Sequence, residues 1–485
     1  MMFDASLMTA VMWGLILRLS TMTFPHSGQS KPPMYGDYEA QRHWMAVTTE
    51  LPMKEWYVQT PRNDLQYWGL DYPPLTAYHS WLCGKISASL NPSWTKLNSS
   101  RGHESHEHKR FMRYSVLVSE ILTFLPAVLY YASGSSSVIE KDITVWVFLM
   151  NPVLILIDHA HFQYNSVCLG LFVAFVALVK NERYIPAAIA FSLALNFKHI
   201  ALYYAVPVFL HMLKACVSPP HITRFMSISL AVVATFGILW APFLINGTAL
   251  NVIQRIFPFN RGIYEDKVSN FWYVGSLVLK FKKVFSQERL VQFSLLSTFF
   301  ASLPSWFMLL CRTDNPHHKM MNFKFALFNT SMAFYLFSYM VHEKSILFPL
   351  TALLLVTAQN PEFVWYFTGV ASFSLVPLLQ KDGVLPAYFA LVLQSFFIIY
   401  KSHIENLSNR RWNQYYLLRI LMSASLLVAL LLHAIEFLFM PPKRFPHLFV
   451  ALNCIFCFVH FLFSYLYGHV LQWRYSFGVA DEKTE

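Results

Sequence analysis

Long apolar runs joined by polar connections are the feature that most limits how this chain can fold. About fourteen such runs recur between residues 7 and 468, and many approach the roughly 20 residues that a helix needs to cross a bilayer core. Charged residues make up only 13% of the 485 positions, whereas soluble domains carry about 25%. The sequence therefore predicts an all-α polytopic membrane protein.

The apolar runs form two groups, one before and one after residue 270. The first group consists of residues 7–23, 114–131, 143–157, 167–180, 185–197, 201–213 and 226–245. The second group consists of residues 291–310, 323–340, 346–356, 363–379, 385–400, 416–439 and 445–468. We expect an N-terminal module of residues 1–270 and a C-terminal module of residues 271–485. The first run is predicted to be a retained span, because Asp4 is the only charge in the first ten residues and a signal peptide needs a basic start.

The distribution of basic residues predicts the orientation of the spans. An even number of spans puts both termini on one side, and the positive-inside rule makes the basic side cytosolic. Basic pairs on the side of the termini are Lys180 with Arg183, Lys214 with Arg224, Arg312 with Lys319, and Arg410 with Arg411. One basic cluster opposes the rule, unless residues 268–279 form an extra short span or a re-entrant turn. That cluster is Lys280, Lys282, Lys283 and Arg289.

Two features that suggest other protein classes have simpler explanations here. The net charge of +11 could indicate nucleic-acid binding, but the basic residues are scattered between apolar runs, where they favour contact with anionic lipid. We therefore expect no nucleic-acid partner. Six cysteines give no disulfide framework, and the pair Cys454 and Cys457 lies within an apolar run, where packing is expected rather than redox or metal chemistry.

Polar and aromatic residues gather in a long segment, residues 24–112, and at the ends of three later runs. A connection of that length is commonly functional. Its distinctive stretches are residues 36–44 and 64–76, and the later stretches are residues 158–166 and 341–347. With the predicted topology all four lie at one membrane face, where ionisable groups need partners or a wet cavity.

Each acidic or histidine feature of these stretches also has a structural interpretation. Asp37 follows a glycine and suits a helix start, while Asp71 precedes Tyr-Pro-Pro and suits a turn. Asp37 with Glu39 also resembles the carboxylate pairs that hold Mn²⁺ in some transferases. His159 and His161 could bind metal, but i,i+2 spacing without a third ligand favours polar capping of a span end.

A histidine tract in the long segment consists of His103, His106 and His108. Such tracts can bind metal, but the surrounding residues are polar and charged. We interpret the tract as a solvated loop.

The four stretches, read together, closely resemble one enzyme family. The sequences GDYEAQRHW (36–44), DLQYWGLDYPPLT (64–76), DHAHFQYNS (158–166) and VHEKSIL (341–347) resemble the dolichyl-phosphate-glucose-dependent α-1,3-glucosyltransferases, and RIFPFNRGIYEDKV (255–268) adds a fifth match. The resemblance runs almost end to end. One branch of this family adds the first glucose to a dolichyl-pyrophosphate-linked Man9GlcNAc2 glycan and a second branch adds the next. Residues 39–43 and 66–70 resemble the first branch.

The resemblance implies a GT-C fold of membrane helices, and the apolar runs and basic residues predict about fourteen spans with residues 24–112 as a luminal loop and both termini cytosolic. It also implies an inverting transfer at the luminal face of the endoplasmic reticulum membrane, with no metal or other cofactor. The donor would be dolichyl-phosphate glucose and the acceptor a dolichyl-pyrophosphate-linked oligosaccharide. A phosphate leaving group needs no general acid, so one carboxylate base suffices, and its motif position makes it Asp37.

The remaining site residues are predicted to bind substrate. The donor phosphate needs fixed positive donors, for which the motif around His342 and Lys344 is the candidate. The full set of predicted substrate-binding residues is Glu39, Arg42, Asp71, Tyr72, His159, His161, Gln163, Arg261, Lys267, His342, Glu343 and Lys344. A transporter or flippase is the rival from another class, but its charges should lie near the bilayer midplane rather than at span ends.

Overall fold

The computed structural model describes residues 5–217, 220–257, 267–407 and 416–478, and within these ranges every regular element is helical. The helices before residue 257 are α1 Ala5–Thr21, α2 Gly36–Glu50, α3 Pro74–Leu90, α4 His106–Ser133, α5 Val138–Leu149, α6 Pro152–Ile155, α7 Asn165–Lys180, α8 Tyr184–Phe197, α9 Ala205–Val217, α10 Ile222–Ile245 and α11 Ala249–Ile256. The later helices are α12 Phe271–Val278, α13 Phe281–Val284, α14 Gln287–Leu310, α15 Pro316–Phe337, α16 Leu347–Leu354, α17 Pro361–Ser374, α18 Val376–Asp382, α19 Leu385–Leu407, α20 Tyr416–Leu438 and α21 Leu448–Ser476. A π-helix, Leu156–Phe162, continues α6.

Seven helical segments in the described ranges are long and apolar enough to cross a membrane. They are His106–Ser133, Val138–Phe162, His199–Val217, Ile222–Ile245, Gln287–Leu310, Arg419–Leu438 and Leu448–Ser476. The pair α17 and α18, bent by 47°, forms one further candidate, and four shorter apolar helices are Ala5–Thr21, Asn165–Lys180, Tyr184–Phe197 and Leu385–Ile398. All the apolar runs of the sequence coincide with helices. The prediction of a multi-pass helical membrane protein is therefore confirmed, while the count of fourteen spans stays a prediction.

The segment between the first two predicted spans is itself largely helical. It contains α2 and α3, and α4 begins inside it at His106. His108 is buried, with its Nδ1 2.9 Å from the Tyr38 hydroxyl. The interpretation of the histidine tract as a solvated loop is therefore wrong at His108, because the first turn of α4 turns this ring into the protein.

The stretch at residues 268–279 contains only α12, which has eight residues. A helix of that length is about 12 Å long and cannot cross a bilayer core about 30 Å thick. Trp272 anchors α12 by donating from its indole nitrogen to the Phe337 carbonyl at 2.7 Å. A complete extra span at this place is therefore excluded.

One cluster of buried apolar side chains joins helices from both halves of the chain. Near its centre, Phe172 of α7 stacks on Tyr204 at a ring distance of 3.8 Å, and the Tyr204 hydroxyl donates to the Phe348 carbonyl of α16 at 2.5 Å. These contacts fix α16 and the short 3₁₀-helix before it, Glu343–Ile346, against the first half. The predicted module boundary at residue 270 stays a prediction.

A buried ion cluster ties the first helix to the π-helix. Arg18 donates from Nε and Nη2 to the two carboxylate oxygens of Glu120, each at 2.7 Å, and His159 Nε2 lies 2.5 Å from Glu120 Oε2. Arg18 also donates to the Leu149 carbonyl at 2.7 Å. Both side chains of the Arg18 and Glu120 pair are only 3% exposed. Charges in such surroundings are tolerated only when paired, so this cluster holds α1, α4, α5 and the π-helix together.

Replacement of Glu120 by alanine is expected to destabilise the fold strongly. The change leaves the Arg18 guanidinium buried without its counterion, and breaking a buried pair in this way costs about 3 to 5 kcal/mol. The melting temperature of the detergent-solubilised protein measures the loss. Asp314→Ala is the control, because the Arg312 and Asp314 side chains are 91% and 86% exposed and their pair contributes little. Equal melting temperatures for the two variants would contradict this account of Glu120.

Candidate active site

Three distant segments meet at the carboxylate of Asp37, and a fourth is linked to it through the ring of His161. They are the start of α2, the π-helix, the 3₁₀-helix Glu343–Ile346 and the end of α18. Three of these carry motif residues that the sequence placed at one membrane face. The convergence of these three segments is thus a property of the fold as well as of the predicted topology.

Three backbone carbonyls of the π-helix accept hydrogen bonds from residues outside it. Arg113 donates to the carbonyls of His159 and Ala160, and Ser27 N donates to the His161 carbonyl at 2.9 Å. The π-helix ends at Phe162, whose φ of 94° is unusual for a bulky residue. π-Helical turns are frequent at functional sites, and here the turn exposes the His161 ring to Asp37.

The start of α2 packs against the chain that leaves α1. The Asp37 amide donates to Ser27 Oγ at 3.2 Å. Gly36 has a φ of 68°, and a Cβ on it would lie 2.6 Å from Ser27 Oγ and 2.8 Å from the Ser27 carbonyl carbon. Only glycine fits at this position. The glycine that precedes Asp37 therefore allows the close approach that places the carboxylate beside the π-helix.

Three donors converge on one oxygen of the Asp37 carboxylate. His161 Nε2 lies 3.1 Å from Oδ2, Gln163 Nε2 lies 2.5 Å from it, and Lys344 Nζ forms an ion pair with it. All three contacts are made to Oδ2, and none of them involves Oδ1. The side chain is 22% exposed, so the carboxylate is fixed through one oxygen and can present the other to a ligand.

The charges around Asp37 keep its carboxyl group ionised. Burial by itself would raise the pKa of Asp37, but the Lys344 ammonium and the hydrogen bond from His161 outweigh burial and hold the pKa well below its usual value. Burial likewise would lower the pKa of Lys344, but Asp37 and Glu343 outweigh it and raise that pKa. The pair is therefore ionic at neutral pH.

His342 and Glu343 flank this ion pair in different charge states from Lys344. Burial and the nearby Lys344 lower the pKa of His342 to about 3, so its ring is neutral at physiological pH. Burial raises the pKa of Glu343. The sequence interpretation gave His342 and Lys344 a shared positive role, whereas the structure gives the positive charge to Lys344 alone.

The structure adds two residues that the sequence interpretation missed. Lys198 follows α8, is 4% exposed, donates to Asn165 Oδ1 at 2.5 Å and lies 4.9 Å from the centre of the Tyr72 ring. Asp382 ends α18, and its Oδ2 lies 2.5 Å from His161 Nδ1. A lysine that interrupts two apolar runs was a visible signal. Asp382 had none, because it follows Lys381 at the polar end of a run.

Other predicted site residues lie in a separate cluster or away from Asp37. Glu39 and Arg42 form a buried ion pair at 2.6 Å, and the Tyr67 hydroxyl donates to Glu39 at 2.8 Å. His159 belongs to the cluster with Glu120 and lies outside the Asp37 cluster. Their roles in substrate binding stay predictions.

Three of the remaining predicted residues lie in the described ranges, and Tyr72 contacts Lys198. Asp71 and Tyr72 precede α3 and are half-buried, with the Tyr72 ring between Trp44 and Lys198. Lys267 is half-buried with a φ of 69°. Arg261 lies outside the described residues.

A divalent cation at Asp37 would have to share the carboxylate with an ammonium group. The described residues contain no group of three or more histidine, cysteine or acidic side chains that could hold a metal ion. Asp37 Oδ2, the oxygen that could join a histidine ligand, already faces an ammonium and an imidazole. A second positive charge at this oxygen would be repelled by Lys344.

Comparison with known proteins gives consistent matches along the chain. The sequence profile of the ALG6, ALG8 glycosyltransferase family matches residues 9–467. A protein of Gallus gallus named dolichyl pyrophosphate Man9GlcNAc2 alpha-1,3-glucosyltransferase is 38% identical over 494 residues, which cover 96% of each chain. Proteins of Arabidopsis thaliana and Caenorhabditis elegans, each named "Probable dolichyl pyrophosphate Man9GlcNAc2 alpha-1,3-glucosyltransferase", are similar as well. The first is 39% identical over 97% of this chain and 91% of its own length, and the second 40% over 93% and 86%.

Lys344→Met is expected to remove stability in a pH-dependent way. Because the folded pKa of Asp37 lies below its unfolded value of about 3.9, the stability from this ion pair is present above about pH 4 and lost as the pH falls through the folded pKa. The melting temperatures of wild type and variant should therefore differ most near pH 7, and the difference should begin to shrink as the pH falls below about 4. Lys381→Met is the control, since Lys381 is exposed. A constant difference across this range would show that Lys344 stabilises by packing alone.

Proposed function

Because the chain belongs to the ALG6, ALG8 glycosyltransferase family, we propose that it adds the first glucose, in an α-1,3 linkage, to dolichyl-pyrophosphate-linked Man9GlcNAc2. The relatives compared above are named for that reaction, and the similarity to them extends over nearly their whole length. The observation that carries the proposal at the level of chemistry is the Asp37 carboxylate, which is held through Oδ2 beside a lysine and has Oδ1 available. The paralogous enzyme that adds the second glucose is the alternative within the family.

The reaction needs one base and one site for a departing phosphate. An acceptor hydroxyl oxygen attacks C1 of the glucose of dolichyl-phosphate glucose, the bond from C1 to the phosphate oxygen breaks, and its electron pair leaves with dolichyl phosphate. The hydroxyl proton passes to Asp37. Attack opposite to the leaving group inverts the anomeric carbon. The phosphate is already anionic, so no acid has to protonate it.

Asp37 Oδ1 is the proposed proton acceptor. The three donors on Oδ2 stabilise the carboxylate and fix its plane, so that the second oxygen has a defined direction. Little conformational entropy is lost when a base held in this way meets the hydroxyl. The low pKa of Asp37 weakens its intrinsic basicity, but it also ensures that the carboxylate is ionised when the acceptor arrives.

Lys344, Lys198 and His342 form the proposed donor-phosphate site. Lys198 is buried and Lys344 half-buried, and both lie close enough to His342 to lower its pKa. Neutral His342 can donate one hydrogen bond. Ammonium groups in a partly dry cleft stabilise a departing phosphate monoester far better than in water. With positive charge supplied by lysines, we propose that the reaction needs no metal ion or other cofactor.

Both substrates are polyprenyl lipids, which explains the need for a membrane enzyme. Each buried methylene of such a lipid contributes roughly 0.8 kcal/mol, so the lipid stays in the bilayer and the site must come to it. We propose a GT-C architecture of about fourteen spans in the endoplasmic reticulum membrane. Residues 24–112 and the site then face the lumen, both termini face the cytosol, and residues 1–270 form the module that carries the base.

Asp37→Asn is expected to abolish nearly all glucose transfer. Asparagine preserves the shape and one acceptor oxygen but cannot take the hydroxyl proton, and a general base contributes about 10² to 10⁴ in rate. The measurement is turnover of the purified protein with a dolichyl-phosphate glucose analogue and lipid-linked Man9GlcNAc2, beside its melting temperature. Product formation by the wild type in detergent would also exclude a purely transport role.

Asp71→Asn is the matched control from the same loop, where a turn role predicts loss of activity only together with loss of stability. If folded Asp37→Asn keeps more than about a tenth of the wild-type rate, which is less than about 1.4 kcal/mol of barrier, Asp37 is not the base.

His342→Ala is expected to weaken use of the donor more than use of the acceptor. Removing a hydrogen-bond donor to a charged phosphate typically costs about 1.5 to 3 kcal/mol, or roughly 10- to 150-fold in donor affinity. Titration of each substrate at a saturating level of the other separates the two effects. His318→Ala serves as the control, because that histidine lies in the first turn of α15 and about 30 Å of helix separates it from the motif that follows. An unchanged donor titration would assign His342 to the fold.

A further inference from the structure

Asp382 and Asp37 lie on opposite sides of one imidazole ring. Asp382 Oδ2 is 2.5 Å from His161 Nδ1, and His161 Nε2 is 3.1 Å from Asp37 Oδ2. The side chains of His161 and Asp382 are 3% and 2% exposed. The three groups come from α18, the π-helix and α2, so nothing in the chain order requires them to align.

We propose that Asp382 is a positioning residue for the base: it holds His161 as an imidazolium whose Nε2–H fixes the Asp37 carboxylate. The inference rests on the proposed function, since it takes Asp37 to be the base. Asp382 reaches no reacting atom. It acts through the ring of His161.

The chemistry of the ring supports the imidazolium. Ionised carboxylates only accept hydrogen bonds, and neutral imidazole has one N–H and one lone pair. A neutral ring between two carboxylates would therefore point its lone pair at one of them. The imidazolium donates to both. With His161 and Lys344 positive and Asp37 and Asp382 negative, the cluster has no net charge, which suits its burial.

The other charged groups around His161 limit how much one partner can do. Lys344 Nζ lies 3.4 Å from Nε2 and repels the imidazolium. His26 and Glu343 are more distant neighbours that also influence the cluster. The Asp37 carboxylate also accepts from Lys344 and Gln163, whereas the short hydrogen bond that Asp382 accepts comes from His161. Asp37 and Asp382 together offset the effect of Lys344 on the ring.

The position of Asp382 is itself well fixed. It is the last residue of α18, which Gly383 ends with a φ of 76°, and Lys31 Nζ donates to the neighbouring Lys381 carbonyl at 2.5 Å. Loss of the Asp382 charge would let His161 release its Nε2 proton. Its lone pair would then face Asp37 Oδ2, and the carboxylate would turn away or hold a proton of its own. In either case the base would be lost.

The test compares pH profiles of glucose transfer by purified full-length wild type and Asp382→Asn. Asparagine keeps an acceptor for Nδ1–H and removes the charge, so His161 should lose its second proton at a lower pH. We expect turnover within about threefold of wild type near pH 6 and a loss of about tenfold or more near pH 8.5, with an unchanged donor KM. Asp382→Glu should restore the alkaline activity. Asp314→Asn, on the surface, should leave the profile unchanged.

A purely structural role for Asp382 gives a different result. If Asp382 only fastens α18 to the π-helix, Asp382→Asn loses the same fraction of activity at every pH, and that outcome or a superimposable profile overturns the inference. If wild type transfers no glucose, the proposed function fails instead. If Asp382→Asn does not fold, the pH profile of His161→Gln tests the inference instead, because glutamine can donate to Asp37 but cannot titrate. An alkaline limb that persists unchanged in His161→Gln also overturns the inference.

Discussion

Burial of charge among apolar helices is the constraint on which the rest of this structure depends. A lone ion in such surroundings costs several kcal/mol, so a buried charged side chain needs a partner, and two of these partners come from distant segments. Arg18 finds Glu120 and Lys344 finds Asp37, and in each case a histidine of the π-helix joins the same carboxylate. The ion pairs thus bring together segments that are far apart in the chain.

The π-helix carries one histidine to each of these clusters. Successive residues are about 100° apart in an α-helix and somewhat less in the wider turn of a π-helix, so in both cases side chains two positions apart point to nearly opposite sides. His159 accordingly faces Glu120, while His161 faces Asp37. The i,i+2 spacing was therefore a sequence signal against a shared metal site. It also means that the cluster anchoring α1 fixes the orientation of the ring beside Asp37.

Much of this arrangement could be predicted from the sequence, because the signals were local. Helices followed from the apolar runs, and Asp37, His161, Gln163 and Lys344 stood in short polar stretches beside those runs. Asp382 could not be found in this way. It lies 221 residues from His161, and a single acid at the end of an apolar run is common. Only the bend between α17 and α18 brings it to the ring.

The angular spacing of side chains around a helix also explains why the polar stretches contain more residues than the group that surrounds Asp37. Glu39 lies two residues after Asp37 on α2, so it points to the opposite side of that helix. There it pairs with Arg42, three residues on, and receives the Tyr67 hydroxyl. An acidic residue that has an arginine at i+3 and a tyrosine beyond can satisfy its charge without a substrate. Asp37 lacks such a local partner on α2 and is neutralised only by groups from distant segments. A carboxylate whose partners must be assembled by the whole fold is better suited to chemistry than one satisfied within its own helix and loop, because its environment exists only in the native state.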